Sequence, residues 1–246
     1  MRVTKFESPS TVVLMPTFNE CDSIFVTLDA VFLDTPFVDV IVIDDSSPDG
    51  TGKIVQSHPR YGGGLQLLSR TPRTGLADAY RAAMAQALAS GYERIVQMDA
   101  DGSHRADELP RLLDACFSDD VLVVGTRWMP GGRVKNWSWL RRLISRGGNR
   151  FAQIVLSCDL PDMTSGYRVW GHHALRHALA GESKTMAGYG FQIEMAWTHW
   201  RRSGAVRSVP ICFVERVAGK SKMSLRITWE AALGVIALRL RGSRRN

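Results

Sequence analysis

Paired cysteines are missing from this chain. Four occur in 246 residues, at positions 21, 116, 158 and 212, and none belongs to a CxxC pair. That spacing excludes a cysteine zinc site and a dithiol redox motif, and leaves reduced, packed thiols as the expectation. Long apolar runs are missing too. No window supplies the roughly 18 uncharged apolar residues that would span a bilayer. The opening stretch, MRVTKFESPS, has no apolar core of the kind a signal peptide needs, so the expected location is the cytoplasm. The glycine-rich nucleotide signatures fail as well. Gly62-Gly63-Gly64 precedes an apolar run rather than following one. Ala218-Gly219-Lys220-Ser221 resembles the end of a phosphate loop, but Val214 stands where its first glycine belongs. No internal repeat or low-complexity linker breaks the chain.

Acidic residues are outnumbered. Against 31 lysines and arginines stand 24 aspartates and glutamates, for a net charge of +7 and a pI near 9.5. Such a balance favours an anionic partner: nucleic acid, a phosphorylated ligand or a membrane surface. The hydrophobic share of 45% and the charged share of 22% are those of an ordinary globular chain.

What is present reads as alternating strands and helices. Apolar runs at Thr11–Met15, Val38–Ile43, Leu65–Leu68, Arg94–Met98 and Val121–Val124 predict strands, the first stopped by Pro16. Helices are expected over Glu20–Phe32, Thr74–Ser90 and Asp107–Phe117, with Asp44–Gly50 a dense turn signal. The runs are continuously apolar, as in strands covered on both faces. Together they predict a doubly wound α/β domain with a mostly parallel sheet, whose ligands bind at the carboxyl ends of the strands. Further on, a Gly- and Arg-rich segment covers Arg127–Asn149. Helices are expected at Arg150–Leu156, Phe191–Arg202 and Leu225–Leu240, and strands at Tyr167–Trp170 and Val206–Phe213. His172 and His173 are expected to begin a helix rather than hold metal.

Three features suggest chemistry. Asp99-Ala100-Asp101 ends a buried strand on two carboxylates, which is costly unless solvent or a cation lies between them. Mg²⁺ and Mn²⁺ prefer such oxygen ligands together with substrate phosphates, and Ser103 or His104 is placed to add a contact. Asp44-Asp45 ends another strand, where an acidic residue reads either as a nucleotide ligand or as part of a turn built by Ser46, Ser47 and Asp49. Third, Arg127–Arg150 holds seven basic residues, no acidic one, and Trp128, Trp137 and Trp139 between them. Arginines grip phosphates bidentately, and tryptophan suits the membrane–water interface.

Taken in order, Pro16–Glu20, Asp44–Thr51, Asp99–Asp101, Gly125–Arg127, Arg141–Gly147, Thr164–Arg168, Gly188–Glu194 and Arg216–Lys222 resemble the dolichol-phosphate mannose synthases, inverting glycosyltransferases of family 2 with a GT-A fold. The resemblance covers about residues 11 to 224, and is to the branch of actinobacterial polyprenol-phosphate mannose synthases whose catalytic domain lacks transmembrane helices. It implies transfer of mannose from GDP-mannose to a polyprenyl monophosphate, with Mg²⁺ or Mn²⁺ as cofactor. Carried over residue by residue, it implies that Pro16, Phe18, Glu20, Asp44, Asp99 and Ala100 line the nucleotide site, and that Asp99, Asp101 and Ser103 surround the metal. It further implies that Arg127, Arg141 and Ser145 bind the acceptor phosphate, and that Arg216 and Lys222 contact the donor diphosphate. The family often carries tyrosine where Phe18 stands and glutamine where Ser103 stands.

The expected organisation is a GT-A catalytic domain over residues 1–224 and a C-terminal interfacial helix with a basic tail over 225–246. Ala231–Leu238 is an apolar run too short to span a bilayer, and Arg239, Arg241, Arg244 and Arg245 follow it, as suits a peripheral anchor on anionic lipid at the cytoplasmic face. A core helix ending in a solvated tail fits the same residues, and a separate membrane-protein partner is the other route to the bilayer. Two further functions share features of the sequence: glucose transfer from UDP-glucose to the same acceptor, and non-catalytic nucleic-acid binding. The carboxylate pair beside the arginines favours chemistry on a phosphate-bearing small molecule over nucleic acid.

Overall fold

The computed structural model describes residues 10–182, 186, 188, 190–215 and 225–243, the side chains of 225–228 and 242–243 excepted. Seven strands form the main sheet: β1 (Thr11–Thr17), β2 (Asp39–Asp44), β3 (Leu65–Ser69), β4 (Arg94–Gln97), β5 (Val121–Thr126), β7 (Arg168–Gly171) and β8 (Ala205–Pro210). A separate ribbon pairs β6 (Arg133–Lys135) with β9 (Cys212–Val214). The main sheet runs β3-β2-β1-β4-β7-β5-β8. Strand β7 lies antiparallel to both β4 and β5, and every other pair in the sheet is parallel.

Alternate residues of each strand feed two cores, one on each face. Val12, Leu14, Ile41 and Ile43 pack with α3 (Leu76–Ala89), α6 (His172–Gly181) and α7 (Gly190–Arg201). Val13, Met15, Val40 and Val42 pack with α1 (Ile24–Asp34) and α4 (Leu109–Ala115). Burial on both faces is why the runs lack polar alternation.

The structure departs from the sequence expectations in four places. Pro16 does not stop β1 but pairs with Ile43 inside it. Pairing of β1 to β4 has already ended at Leu14–Gln97, so the missing N–H of Pro16 costs no ladder bond on that side. A short helix, α2 (Thr51–Ser57), follows the Asp44–Gly50 turn and was not expected. The predicted strand 206–213 is two strands, β8 ending at Pro210 and the chain breaking at Ile211, after which β9 crosses to β6.

The largest departure is α5 (Trp139–Leu156), which absorbs much of the Gly- and Arg-rich segment. Ser138 caps it by accepting the Arg141 N–H. The last described helix, α8 (Leu225–Ser243), packs on α5 and α7 and buries Val235 and Leu238 in the main core, while Trp229, Leu233, Ile236 and Leu240 stay exposed. Among the described residues no helix is long and apolar enough to cross a membrane.

Candidate active site

The parallel strands β1, β2 and β4 deliver residues 17–21, 44–51 and 98–104 to one edge of the sheet, and antiparallel β7 brings 164–167 back to it. The first two loops are stitched together. The Ser47 hydroxyl accepts the Asn19 N–H, the Thr51 hydroxyl accepts the Glu20 N–H, and Asp49 accepts the Cys21 N–H, each at 3.0 Å. Burial works against the charged form of Asp49, but hydrogen bonds from Thr51 and Cys21 outweigh it and hold the carboxyl down at about 2. The Ser-Ser-Pro-Asp-Gly-Thr stretch is therefore a brace for the Pro16–Glu20 loop.

Asp44, expected to contact the nucleotide, spends its carboxylate internally. It accepts the Thr17 hydroxyl at 3.1 Å, the Ser47 N–H at 3.2 Å and the Ser47 hydroxyl. It is 6% exposed, so it shapes the loop rather than offering a free ligand. Asp45 pairs with Arg70 at 2.9 Å. Pro16 and Glu20 are half-buried, and Glu20 also accepts the Ser23 hydroxyl. Phe18 carries the Arg73 guanidinium 3.6 Å above its ring, a cation–π platform that sequence reasoning missed because Arg73 lies in an otherwise featureless loop.

The carboxylate pair sits beyond β4. Ala100 points into the core, and its carbonyl accepts the Thr27 hydroxyl of α1 at 3.0 Å. Asp101 turns inward and accepts the Ser103 N–H at 3.0 Å, while Gly102 turns the chain at a φ of +74°. Asp99 remains the open one, its side chain 32% exposed. Ser103, expected beside a metal, is buried, and the contact it makes to Asp101 is through its N–H. His104 is buried too: its Nδ1 accepts the Asp99 N–H at 2.9 Å, and its ring stacks on Tyr167 at 4.8 Å. Burial pushes the His104 pKa below its ordinary value against the pull of Asp99 and Asp101, so the ring is neutral. Gly166 lets these groups meet, since a Cβ there would lie 3.1 Å from Gln192 Nε2 and 3.3 Å from His104 Cε1. Gln192 was not singled out in the sequence, although it lies inside the Gly188–Glu194 motif.

The arginines do not form one uniform cluster. Arg127 commits Nε and Nη2 to Asp162, each at 2.8 Å, and Nη2 also reaches the Thr164 hydroxyl at 2.7 Å. Asp162 is fully buried. Burial would raise its pKa, but Arg127 overrides this and holds it low. Arg127, expected to bind the acceptor phosphate, anchors the 162–164 loop through Nε and Nη2. Arg141 pairs with Glu215 and lies 4.0 Å over Trp137, and its Nε has no partner. Ser145 lines an apolar cavity of about 300 Å³ between α5 and α8, with Ile144, Phe151, Ile193, Ala231 and Val235. Thr164 and Arg127 form the polar end of that cavity, two residues along the chain from Gly166. Arg216 and Lys222 lie outside the described residues.

A mostly parallel sheet with two carboxylates at its carboxyl edge, braced loops and an arginine-bearing helix belongs to the class of α/β proteins that bind ligands at the carboxyl ends of their strands, here with groups suited to a cation and phosphates. The sequence comparisons narrow the class. The pattern described as Glycosyl transferase family 2 matches residues 12–178, and the chain belongs to that family. Over 224 residues, 91% of each chain, it is 41% identical to the undecaprenyl-phosphate mannosyltransferase of Micrococcus luteus. Over 238 residues it is 38% identical to the polyprenol monophosphomannose synthase of Mycolicibacterium smegmatis, covering 94% of this chain and 88% of the relative. Its fold matches a mannosyltransferase of Pyrobaculum calidifontis, solved with GDP-Man and Mn²⁺, at a TM-score of 0.60 and 18% identity over 98% of this chain and 77% of the other.

Proposed function

We propose that this glycosyltransferase moves mannose from GDP-mannose to a polyprenyl monophosphate, giving polyprenyl-phosphate β-mannose. The observation that carries the reading is that one short loop, Thr164–Gly166, touches both an open carboxylate and an apolar cavity. The open Asp99 carboxylate borders Gly166, and the apolar cavity between α5 and α8 begins at Thr164 and Arg127. The carboxylate suits a cation-bound diphosphate, and the cavity suits a prenyl chain. The two relatives named for polyprenyl or undecaprenyl carriers support the acceptor, and the mannosyltransferase with GDP-Man supports the donor.

A divalent cation fits the donor set. Among the described residues no cluster of three His, Cys, Asp or Glu side chains could hold a metal, but Mg²⁺ and Mn²⁺ need only one or two carboxylates when substrate phosphates complete the shell. Asp99 and Asp101 would supply them. Once bound, the cation stabilises charge developing on the leaving diphosphate. His104 holds the Asp99 backbone, and Ser103 holds the Asp101 carboxylate. The acceptor phosphate is already an anion near neutral pH and needs no general base. It needs a cation to hold it in line with the anomeric carbon, a role for Arg141, whose Nε is uncommitted, beside Ser145. Attack opposite the leaving group converts an α-linked donor to a β product. Arg216 and Lys222 are assigned to the departing diphosphate on the family resemblance.

The acceptor lies in a bilayer, so the enzyme works as a peripheral protein at the cytoplasmic face, with the exposed apolar residues of α8 toward the lipid. Purified protein incubated with labelled GDP-mannose or UDP-glucose and a polyprenyl phosphate is expected to transfer mannose only, in a metal-dependent way. Transfer of glucose instead, or no transfer from either donor, overturns the reading.

A further inference from the structure

A second cleft lies beside α5 and meets the cavity assigned to the acceptor chain at Arg127. It holds about 620 Å³ between α5 and the β5–β6 loop, and Arg146, Arg150, Trp128, Asn149 and Gln153 line it, with Arg127 shared between it and the acceptor cavity. Arg146 stacks on Trp128 at 4.8 Å, and Arg150 donates to Gln153 at 3.4 Å. Neither guanidinium has a carboxylate partner among the described residues, unlike Arg127 and Arg141 on the acceptor side. The carboxylate in the lining, Asp159, accepts the Trp200 indole N–H at 3.1 Å.

The surroundings select the ligand. Trp139, Leu143, Arg146, Arg150 and Ile154 recur every three or four residues and so share one helix face. Trp139 is 75% exposed, Leu143 60% and Ile154 63%, large values for such apolar side chains. Helix α5 contains Arg141, Arg142, Arg146 and Arg150 and no acidic residue. Two unpaired arginines, set within an exposed apolar stripe and over a polar cleft, complement an amphiphile whose head is anionic and whose tails are apolar.

We propose that this cleft takes the phosphate of an anionic phospholipid, gripped by Arg146 and Arg150 against Trp128, while Trp139, Leu143 and Ile154 enter the acyl boundary. Arg146 stands one helical turn from Arg150, so two guanidinium forks flank one phosphodiester. The site adjoins the acceptor cavity at Arg127 but uses its own arginines, Arg146 and Arg150, and it deepens the peripheral-membrane reading, on which it rests. It makes attachment selective for headgroup charge and fixes α5 against the bilayer.

The test uses the full chain and sedimentation with vesicles of phosphatidylcholine alone or mixed with phosphatidylglycerol. R146Q and R150Q are each expected to weaken binding to the mixed vesicles about fivefold to tenfold, the scale of one interfacial arginine plus its phosphate contact. R142Q removes the same charge from an exposed position outside the cleft, and is expected to cost about twofold or less. Mannose transfer to detergent-dispersed acceptor should be unchanged in all three. Equal losses for R142Q and R146Q would reduce the site to diffuse attraction and overturn the proposal. Glycerol phosphate that displaces the protein from vesicles at millimolar concentration, with no added salt effect, would make the ligand a free phosphate and overturn the lipid assignment. Wild-type protein that transfers mannose but shows no preference for phosphatidylglycerol sinks this inference alone. Protein that binds selectively but transfers no mannose sinks the functional reading and leaves the cleft standing.

Discussion

Arg127 grips Asp162 through Nε and Nη2, each at 2.8 Å, and the Arg127 amide adds a third bond to the same carboxylate at 3.1 Å. The pair welds the end of β5 to the loop that enters β7. Because Asp162 is fully buried, deleting its charge strands the arginine in a low-dielectric site. Asp162→Asn is expected to lower unfolding free energy by about 3–5 kcal/mol. Denaturant titration reads this directly, and an apolar pair such as Arg127→Met with Asp162→Leu should recover most of the loss. A small effect in the single variant would mean that water reaches the pair.

Asp99 should behave oppositely. Its side chain is a third exposed, and its tie to His104 runs through the backbone N–H, which asparagine keeps. Asp99→Asn is expected to melt within a few degrees of the parent. Its mannose transfer should fall at least about 100-fold at saturating Mn²⁺, the scale of losing a ligand that stabilises transition-state charge. A turnover near the parent's would remove Asp99 from the metal site.

Filling the apolar cavity separates its role from the donor site. Ala231 lines the space beside Ser145, and Ala231→Phe places a ring there. The expected outcome is a KM for a long polyprenyl phosphate raised about tenfold, with the KM for GDP-mannose unchanged. An equal rise for both substrates would point to a general distortion of α5 and α8.

Two buried histidines set the acid response. Burial holds both His104 and His199 below the ordinary value of 6.5. The unfolded chain therefore binds protons that the native one refuses, and stability is lost as pH falls below about 6.5. Thermal melts at pH 7.5 and 5.5 are expected to show a drop that shrinks in a His199→Asn variant. A pH-independent melting temperature across this window contradicts the neutral assignment.

The sequence made the parallel core legible because strands buried on both faces must be apolar throughout, and Val12–Met15, Val40–Ile43 and Val121–Val124 have no competing reading. It also located the acidic triplet, since two carboxylates at a strand end are chemically conspicuous. It could not say which acids were exposed. Asp44 and Asp99 look alike in the sequence, yet Ser47 in the adjoining turn and Thr17, brought near by the fold, engage the first, while the second stays a third exposed. Helix α5 was obscured by Gly147 and Gly148, which weaken a helix locally but lie on exposed turns that packing elsewhere sustains. Arg127 and Arg141 were read as phosphate ligands on pattern and family resemblance. Their partners, Asp162 and Glu215, lie 35 and 74 residues away, beyond any local pattern.

Strand β7 joins β4 to β5, and no other strand lies between them. During synthesis, the four strands β3-β2-β1-β4 can pair as soon as Gln97 has emerged, but β5 must wait with both edges open until residues 168–171 follow. The active-site edge therefore closes late, and one short strand completes it. A chain interrupted anywhere between residues 127 and 167 would leave both edges of β5 and the inner edge of β4 unpaired at once, a state suited to aggregation rather than to partial activity.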